Sequence, residues 1–333
     1  MQNVKRWLPG VIISLVFIVI LARAVDWSSL LVALTTIDLR FLLLHALCYF
    51  ALIGARSMAS RALLENRPSF RDSFVVMMQG YLLNNVLPFR LGELGRAYLL
   101  GRKTGLGALN ALPAIIIERF YDLAFAALIL IGTLPFVLQG VDWARPVSLW
   151  TLSLVTVGLL SLHLIARFRV PLKAWVDRLA HRIAFVEKHI LPQVDSFLDG
   201  LAVLTNTRLF IASLLWMTLA WFFGVLAQYV LLLGLMKGAP LLYSTFALGA
   251  SSFAGAIPSA PSGLGVYEAA VVGALAILKV DSGVALALAV IHHIAHIVYS
   301  GIVGFYGFSR DNIGIMEMYD RLVNRKAVNE IRK

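Results

Sequence analysis

Long apolar stretches alternate with short polar segments along most of the chain. The longest runs are Leu8–Leu21, Leu39–Ile53, Ala111–Leu138, Val147–Ile165, Leu209–Met236 and Val284–Phe308. A helix needs roughly 20 apolar residues to cross a hydrocarbon core about 30 Å thick. Several runs reach that length alone, and the shorter ones reach it once their weakly polar flanks are counted. The pattern therefore predicts an all-α polytopic membrane protein with about six full spans.

Two further apolar segments are interrupted by residues that break helices. The first, residues 73–103, contains the break Pro88–Gly92, and the second, residues 241–279, contains the break Pro258–Gly265. Irregular backbone at membrane depth is tolerated only where it is buried in protein or lines a wet cavity. We therefore expect two re-entrant or broken helical hairpins, the first entered from the cytoplasmic side and the second from the outer side.

The order of spans and breaks divides the chain into two similar halves, residues 8–138 and 147–308. In each break a proline is followed by a glycine and then a glutamate. Because each half crosses an odd number of times, the halves lie in opposite orientations, which is the inverted-repeat architecture of alternating-access transporters. The alternative is an ordinary bundle in which the kinks coincide by chance. We expect a single transmembrane domain over residues 1–333.

The composition supports membrane insertion, and the positions of the basic residues predict the orientation. Of 333 residues, 60% are hydrophobic and 14% charged, and the net charge is +11. Basic residues concentrate before the first span, after the second, in residues 167–208 and in the tail, residues 309–333. Because such regions stay on the cytoplasmic side, we expect both termini in the cytoplasm, an integral protein of a bacterial cytoplasmic membrane, and no nucleic-acid partner.

The linker between the halves, residues 167–208, has a helical pattern of its own. Leu172, Val176, Leu179 and Ile183 recur at helical spacing with charged residues between them. This pattern predicts an amphipathic helix that lies along the cytoplasmic headgroups. The helix can act as a structural brace, or it can attract anionic lipid.

Three charged residues, Glu118, Arg119 and Asp122, lie inside an otherwise apolar span. Each charge at the centre of a bilayer costs about 2.5–3.5 kcal/mol on the insertion scale, so these side chains must face partners or water. Their spacing places them on one side of a helix. They form either a buried ion pair that fixes the packing or a site for a substrate or a proton.

The first break carries a second group of charges, Arg90, Glu93 and Arg96. Glu93 and Arg96 are spaced to pair within one helical turn, which leaves Arg90 to meet a phosphate or carboxylate with its planar guanidinium. A solvated cytoplasmic tip is the alternative.

The second break carries Glu268 together with Ser259, Ser262 and Tyr267. No basic residue accompanies Glu268 in the sequence. Its charge is therefore either paired from another helix or neutralised by protonation.

The last span contains His292, His293 and His296. His292 and His296 share a helix face, a spacing that can bind zinc, but no clear third ligand is visible. Structural hydrogen bonding, or a role with a proton or a headgroup, is the remaining interpretation, since histidine titrates near neutral pH. We expect no metal and no cofactor.

The runs Asn85–Glu118, Glu118–Asp122 and Pro258–Glu268 resemble the lysylphosphatidylglycerol-synthase transmembrane-region family, whose members are often described as flippase-like integral membrane proteins. The resemblance covers roughly residues 8–308. It implies lipid handling, because in aminoacyl-phosphatidylglycerol synthases a similar region is associated with translocating the modified lipid, which a separate soluble domain makes. The residues that match the family are Arg90, Glu93, Arg96, Glu118, Arg119, Asp122 and Glu268. The family often has an arginine in the last span where this chain has His292 and His293.

The leading functional hypothesis is a flippase-like translocator of a lipid with a charged or phosphate-containing headgroup, possible substrates being a phospholipid, a polyprenyl-phosphate-linked lipid or a hopanoid. Carboxylates or histidines would couple protons. The alternatives are a lipid-presenting subunit of a glycosyl- or aminoacyl-transferase, or an accessory to one, and a scaffold that recruits a partner. No nucleophile stands out and the resemblance brings no soluble synthase domain, so we expect no enzyme. The expected partners are a membrane lipid and a lipid-modifying or transport protein, and the oligomeric state is open.

Overall fold

The computed structural model describes residues 12, 15–23, 25–87, 91–139, 141–171, 173–174, 201–254 and 261–323. Across these residues the regular structure is helical and contains no β-strand. Five helices are long and apolar enough to cross a membrane, or up to six if one bent pair near the start is counted as a span. The prediction of an all-α polytopic membrane protein is confirmed.

The helices follow one another along the chain with short connections. In order they are α1 (Leu15–Arg23), α2 (Trp27–Thr36), α3 (Leu39–Leu63), α4 (Phe70–Val86), α5 (Gly92–Thr104), α6 (Ala108–Val137), α7 (Ala144–Arg167), α8 (Thr207–Leu235), α9 (Leu241–Ala254), α10 (Val266–Ile277), α11 (Ser282–Arg310) and α12 (Ile315–Val323). Helices α1 and α2 form the bent pair, with an angle of 95° between them. Two 3-10 turns, Leu201–Thr205 and Pro261–Gly263, precede α8 and α10.

Polar side chains set the starting points of several helices. The side chains of Asp26, Asp38, Ser69, Asn206 and Asp281 accept hydrogen bonds from backbone N–H groups in the first turns of α2, α3, α4, α8 and α11. These N–H groups have no partner within the helix, so each cap stabilises its helix by about 1 kcal/mol. Three of the five candidate spans among the described residues, α3, α8 and α11, thus begin at a polar residue that caps the helix.

Helices α3 and α8 pack together in antiparallel directions. Gly234, near the end of α8, faces Phe41 at the start of α3, and Gly224 faces Leu52 farther along. A Cβ atom at Gly234 would lie 2.8 Å from the ring of Phe41, so the absence of a side chain allows the close approach. The pair forms the centre of the bundle.

The first broken segment folds back on itself as a helical hairpin. Gly80 in α4 lies so close to Gly92 in α5 that a Cβ atom at Gly92 would overlap the carbonyl oxygen of Gly80. At the other end of the hairpin, Lys103 Nζ lies 3.5 Å from Asp72 Oδ1 and 2.7 Å from Asp311 Oδ1. The start of α4 and the end of α5 therefore both meet the end of α11. We call this side of the bundle the Asp311 end.

The second broken segment enters from the opposite end. Helix α8 begins at the Asp311 end, where Arg208 shares a cavity with Met58 and Asn66, and it ends on the far side just before α9. Helix α10 likewise ends just before α11 begins on that far side. The turn Pro261–Gly263, which lies between α9 and α10 in the chain, contacts α4. The hairpins thus meet inside the bundle, while the inverted repeat of whole halves stays a prediction.

Parts of the predicted organisation lie outside the described residues. These parts are the start of the first predicted span, most of the amphipathic linker and residues 324–333 of the basic tail. The described part of the tail forms α12, which joins α5 through a hydrogen bond from Arg321 to the hydroxyl of Tyr98.

Candidate functional site

Six charged side chains from three helices form a continuous chain of ion pairs, which we call the charged network. Its members are Arg56 from α3, Glu93 and Arg96 from α5, and Glu118, Arg119 and Asp122 from α6. Three guanidinium groups balance three carboxylates, so no formal charge is left over. Neutral pairing of this kind is what allows ionised groups to remain among apolar helices.

The pair Arg96–Glu118 is the sealed part of the network. Nη2 of Arg96 lies 2.8 and 3.0 Å from the two carboxylate oxygens of Glu118, and both side chains are 1% exposed. Arg96 fits there because Gly80 lies opposite, where an added Cβ atom would overlap the arginine side chain. With no access from outside, this pair fixes the hairpin against α6.

Arg119 is the open part of the network. Its guanidinium lies 3.0 Å from Asp122 and 3.6 Å from Glu93, yet its side chain is 34% exposed. Nε of Arg119, like Nε of Arg56 and Arg96, has no hydrogen-bond acceptor among the residues that the structure describes, so exposure is what distinguishes Arg119 from the other two arginines. Of the three arginines in the network, it is therefore the one best placed to receive an anionic group from outside the bundle.

Arg56 belongs to the network although the second apolar run of the sequence, Leu39–Ile53, ends before it. It lies within α3, its guanidinium contacts the carboxylate of Asp122, and its side chain is 12% exposed. The signal that could have found it is helical spacing, because Arg56 follows the buried residues Tyr49 and Ile53 by seven and three positions. An apolar run that stops at a charge need not mark the end of its helix.

The network lies at one depth on all three helices. Arg56, Arg96 and Glu118 lie seven, eight and ten residues from the ends of their helices at the Asp311 end. At about 1.5 Å per residue, this corresponds to about 10–15 Å. Of the three helices, α3 and α6 are long and apolar enough to span the hydrocarbon core, so Arg56 and Glu118 lie within candidate spans and not at their ends.

A second cluster lies where the second break meets α11. His293 Nδ1 lies 2.5 Å from Glu268 Oε1, and His293 Nε2 lies 2.6 Å from Ser262 Oγ. The other oxygen of Glu268 accepts a hydrogen bond of 2.7 Å from the backbone N–H of Gly265. Of the two alternatives that the sequence left open for Glu268, the structure shows a partner from another helix, and this partner is a histidine.

The two other histidines of α11 face α3. His292 Nδ1 lies 3.2 Å from Nε2 of His45, and His296 Nδ1 lies 2.8 Å from the hydroxyl of Tyr49. His45 was not among the predicted site residues; its spacing of four residues from Tyr49 places both on the same face of α3. Among the described residues, no group of three or more His, Cys, Asp or Glu side chains could hold a metal ion.

Two tyrosines surround His296. The hydroxyl of Tyr49 bonds to Nδ1 of His296, and the ring of Tyr81 lies 5.3 Å from the ring of His296. Helices α3 and α4 therefore each place a tyrosine beside this histidine.

The predicted site residues divide between these two places. Glu93, Arg96, Glu118, Arg119 and Asp122 belong to the charged network. Glu268, His292, His293 and His296 lie together with Ser262 and His45 around α11, and we call this second group the histidine cluster. Arg90, with Pro88 of the same break, lies outside the described residues. The predicted site residues that the structure describes thus fall into two clusters.

Comparison with known proteins places the chain in a family. The family described as "Lysylphosphatidylglycerol synthase TM region" matches residues 7–304. The UPF0104 membrane protein MJ1078 of Methanocaldococcus jannaschii is 29% identical over 242 residues, which cover 69% of this chain and 95% of that protein. The UPF0104 membrane protein MJ1595 of the same organism is 20% identical over 310 residues, which cover 88% of this chain and 91% of that protein. With nine-tenths of its length matched to one family and its helices long enough to span a membrane, this chain is an integral membrane protein and belongs to the lysylphosphatidylglycerol synthase transmembrane-region family.

Proposed function

We propose that this protein translocates a lipid with a phosphate-containing headgroup across the membrane. Translocation requires a site that compensates the charge of the headgroup inside the bilayer while the acyl chains stay in contact with lipid. The charged network provides the first requirement and the surface of α6 provides the second. The proposal further takes the membrane to be a bacterial cytoplasmic membrane, with both termini in the cytoplasm.

The position of Arg119 carries this proposal. Ile116, Phe120 and Leu123, on the same part of α6, are 43%, 37% and 55% exposed. Ile116 and Leu123 flank Arg119 at helical spacing and Phe120 follows it, so the partly exposed side chain of Arg119 lies within an apolar face, with its Nε and Nη2 atoms buried beneath that face. A phosphate at Arg119 would leave the acyl chains of the same lipid against these three side chains.

The network itself supports movement as well as binding. Arg119 is held by Glu93 and Asp122, and each of these carboxylates has a second arginine partner, Arg96 or Arg56. An arriving phosphate that takes Arg119 would leave Glu93 in contact with Arg96 and Asp122 in contact with Arg56, and a proton on one carboxylate would neutralise the one negative charge then left over in the network. Exchange between partners of this kind lowers the cost of admitting a charged headgroup.

The histidine cluster would supply coupling to protons. His292 and His296 lie on the helix that contacts the second break, and they bond to His45 and Tyr49 of α3, the helix that also carries Arg56. Histidine can gain or lose a proton near neutral pH, which makes it the residue type best suited to this step. In the proposed cycle, the two hairpins rearrange as the headgroup passes between the ends of the bundle.

Reconstitution into vesicles tests the function. Purified protein is placed in liposomes that contain a trace of a headgroup-labelled anionic phospholipid, and the fraction of label accessible from outside is followed after a membrane-impermeant quencher is added. We expect label from the inner leaflet to become accessible with wild-type protein and with Arg40→Gln, whose side chain is 82% exposed at the start of α3. Arg119→Gln should slow this at least tenfold. Equal rates in protein-free vesicles, tested with a panel of anionic lipids, would contradict the proposal.

A further inference from the structure

Ser262, His293 and Glu268 are connected in series through the two nitrogens of one imidazole ring. Ser262 Oγ lies 2.6 Å from Nε2, and Glu268 Oε1 lies 2.5 Å from Nδ1. A hydroxyl on one ring nitrogen and a carboxylate on the other form the constellation of nucleophile, base and orienting acid that recurs on unrelated folds. It is recognised by geometry, and the separation of the three residues in the sequence hides it.

The partners of the ring determine where its proton lies. Glu268 already accepts a hydrogen bond from Gly265 through Oε2, and its Oε1 accepts from the proton on Nδ1 of His293. Nε2 is then left with its lone pair directed at the hydroxyl of Ser262, so Ser262 donates. This is the tautomer in which the histidine can remove the proton of the serine.

A site of this kind needs an accessible nucleophile and a base that is held in place, and the exposures of the three residues meet both needs. His293 and Glu268 are buried, with relative exposures of 6% and 7%, whereas Ser262 is partly exposed. Ser262 has a φ of +65°, a left-handed conformation that a non-glycine residue rarely adopts. Strained backbone of this kind is concentrated at functional sites. The neighbouring Leu264 is 47% exposed, so the approach to the hydroxyl is apolar.

We propose that Ser262 is the nucleophile of an esterase site for lipophilic carboxylic esters, with His293 as the general base and Glu268 as its positioning residue. Ser262 Oγ forms a bond to the ester carbonyl carbon and passes its proton to Nε2 of His293. The bond from that carbon to the alcohol oxygen then breaks, and the alcohol leaves with the proton from His293. Water hydrolyses the acyl-serine by the same transfers, so one ester and one water yield one acid and one alcohol without any redox change.

The N-terminal end of α10 favours the charge that this reaction develops. The turn that carries Ser262 leads directly into α10, a helix of 12 residues. The N-terminus of a helix carries partial positive charge, which stabilises a nearby oxyanion. In a purely structural interpretation, Ser262 ties the break to α11, and its hydroxyl would have no enhanced reactivity.

Covalent labelling distinguishes these interpretations. Wild-type protein in lipid nanodiscs is treated with fluorophosphonates of short and long alkyl chain, and the modified residue is identified by peptide mass spectrometry. Hydrolysis of p-nitrophenyl esters is measured on the same samples. We expect an adduct on Ser262, with His293→Gln slowing labelling about 100-fold or more, as expected for loss of a general base. The control is Ser252→Ala, which removes a hydroxyl bonded only to the backbone oxygen of Leu248 among the described residues and should label like wild type.

The pH profile reports the positioning role of Glu268. The groups that face His293 are Glu268, Tyr267, Ser262 and, on α11 itself, His292 and His296. The labelling rate should fall in acid as His293 becomes protonated. Glu268→Gln should slow labelling and shift the midpoint of that fall to lower pH, because the neighbouring negative charge that favours imidazolium is lost. If Ser262 stays unmodified by both reagents and ester hydrolysis does not exceed that of Ser262→Ala, the esterase proposal is wrong.

Discussion

Arg96 and Arg119 contact different oxygens of one carboxylate, that of Glu93. The distances are 3.3 Å from Arg96 to Oε2 and 3.6 Å from Arg119 to Oε1. The two arginines nevertheless differ in access, because the side chain of Arg96 is 1% exposed and that of Arg119 is 34% exposed. The same network therefore contains a sealed pair and a more exposed cation, and our proposal assigns the exchange of partners to the exposed one.

Loss of the internal pair should destabilise the fold. Glu118→Gln leaves Arg96 buried with less compensation, and breaking such a pair typically costs about 3–5 kcal/mol. We expect a clearly lower unfolding temperature in detergent, measured by the loss of the monomer peak in size-exclusion chromatography after heating. Glu65→Gln is the matched control, because Glu65 and its partner Arg67 are 51% and 49% exposed and such surface pairs contribute at most about 1 kcal/mol.

The double variant Arg96→Leu/Glu118→Leu sharpens this prediction. It removes both charges together, so it should be more stable than Glu118→Gln alone. Equal unfolding temperatures for Glu118→Gln and Glu65→Gln would show that the charge of Glu118 does not stabilise the fold.

The close approach of α4 and α5 should make Gly92 intolerant of a side chain. In Gly92→Ala, the new methyl group overlaps the carbonyl oxygen of Gly80, and rigid backbone cannot move aside without opening the hairpin. We expect reduced yield of folded protein and a lower unfolding temperature. Gly132→Ala in α6 is the control, since an added Cβ atom there meets nothing within 4 Å. In this control, alanine should stabilise the helix by up to about 1 kcal/mol. Equal behaviour of the two variants would argue against the packing of α4 on α5.

The ionic contacts at the Asp311 end should make stability depend on pH. Asp311 follows the last residue of α11; burial raises the pKa of its carboxyl, but hydrogen bonds from Lys103 and Gln79 outweigh burial and lower the pKa below its ordinary value. A pKa lowered by folding gives stability that is fully present above the unfolded pKa of about 3.9 and is lost as the pH falls through the folded pKa.

Asp311→Asn should therefore lower the unfolding temperature at pH 7, and the difference from wild type should shrink below about pH 4. Measurement of both proteins over this range, with the exposed Asp142→Asn as control, tests the assignment. A difference that stays constant with pH would mean that ionisation of Asp311 contributes nothing.

Apolar length predicted the long helices well. The runs Ala111–Leu138, Leu209–Met236 and Val284–Phe308 correspond to α6, α8 and α11 within three residues at either end. Their composition dictates the outcome because a helix is the structure that satisfies its own backbone in lipid. Helix α3 continued ten residues beyond its predicted end at Ile53, since polar residues such as Arg56 and Ser57 face the interior and extend the helix without being apolar.

The candidate site was predictable only in part. Pairs within one helix, such as Glu93–Arg96 and Arg119–Asp122, follow from spacing of three residues and were found. Pairs between helices, such as Arg96–Glu118 and Ser262–His293, depend on how far one helix slides along another, and that offset is set by the packing of glycines such as Gly80. A single sequence does not show this offset, which is why Ser262 was named with Glu268 at the second break but its pairing with His293 was not predicted.

The lipid retained by the purified protein tests the role of Arg119 most directly. Wild type, Arg119→Gln and the control Arg40→Gln are extracted in the same mild detergent, and native mass spectrometry measures the fraction that carries a bound phosphate-containing lipid. If Arg119 holds the headgroup, wild type and Arg40→Gln should retain this lipid equally, and Arg119→Gln should lose at least nine-tenths of it while staying folded. Equal retention by all three proteins would contradict this role.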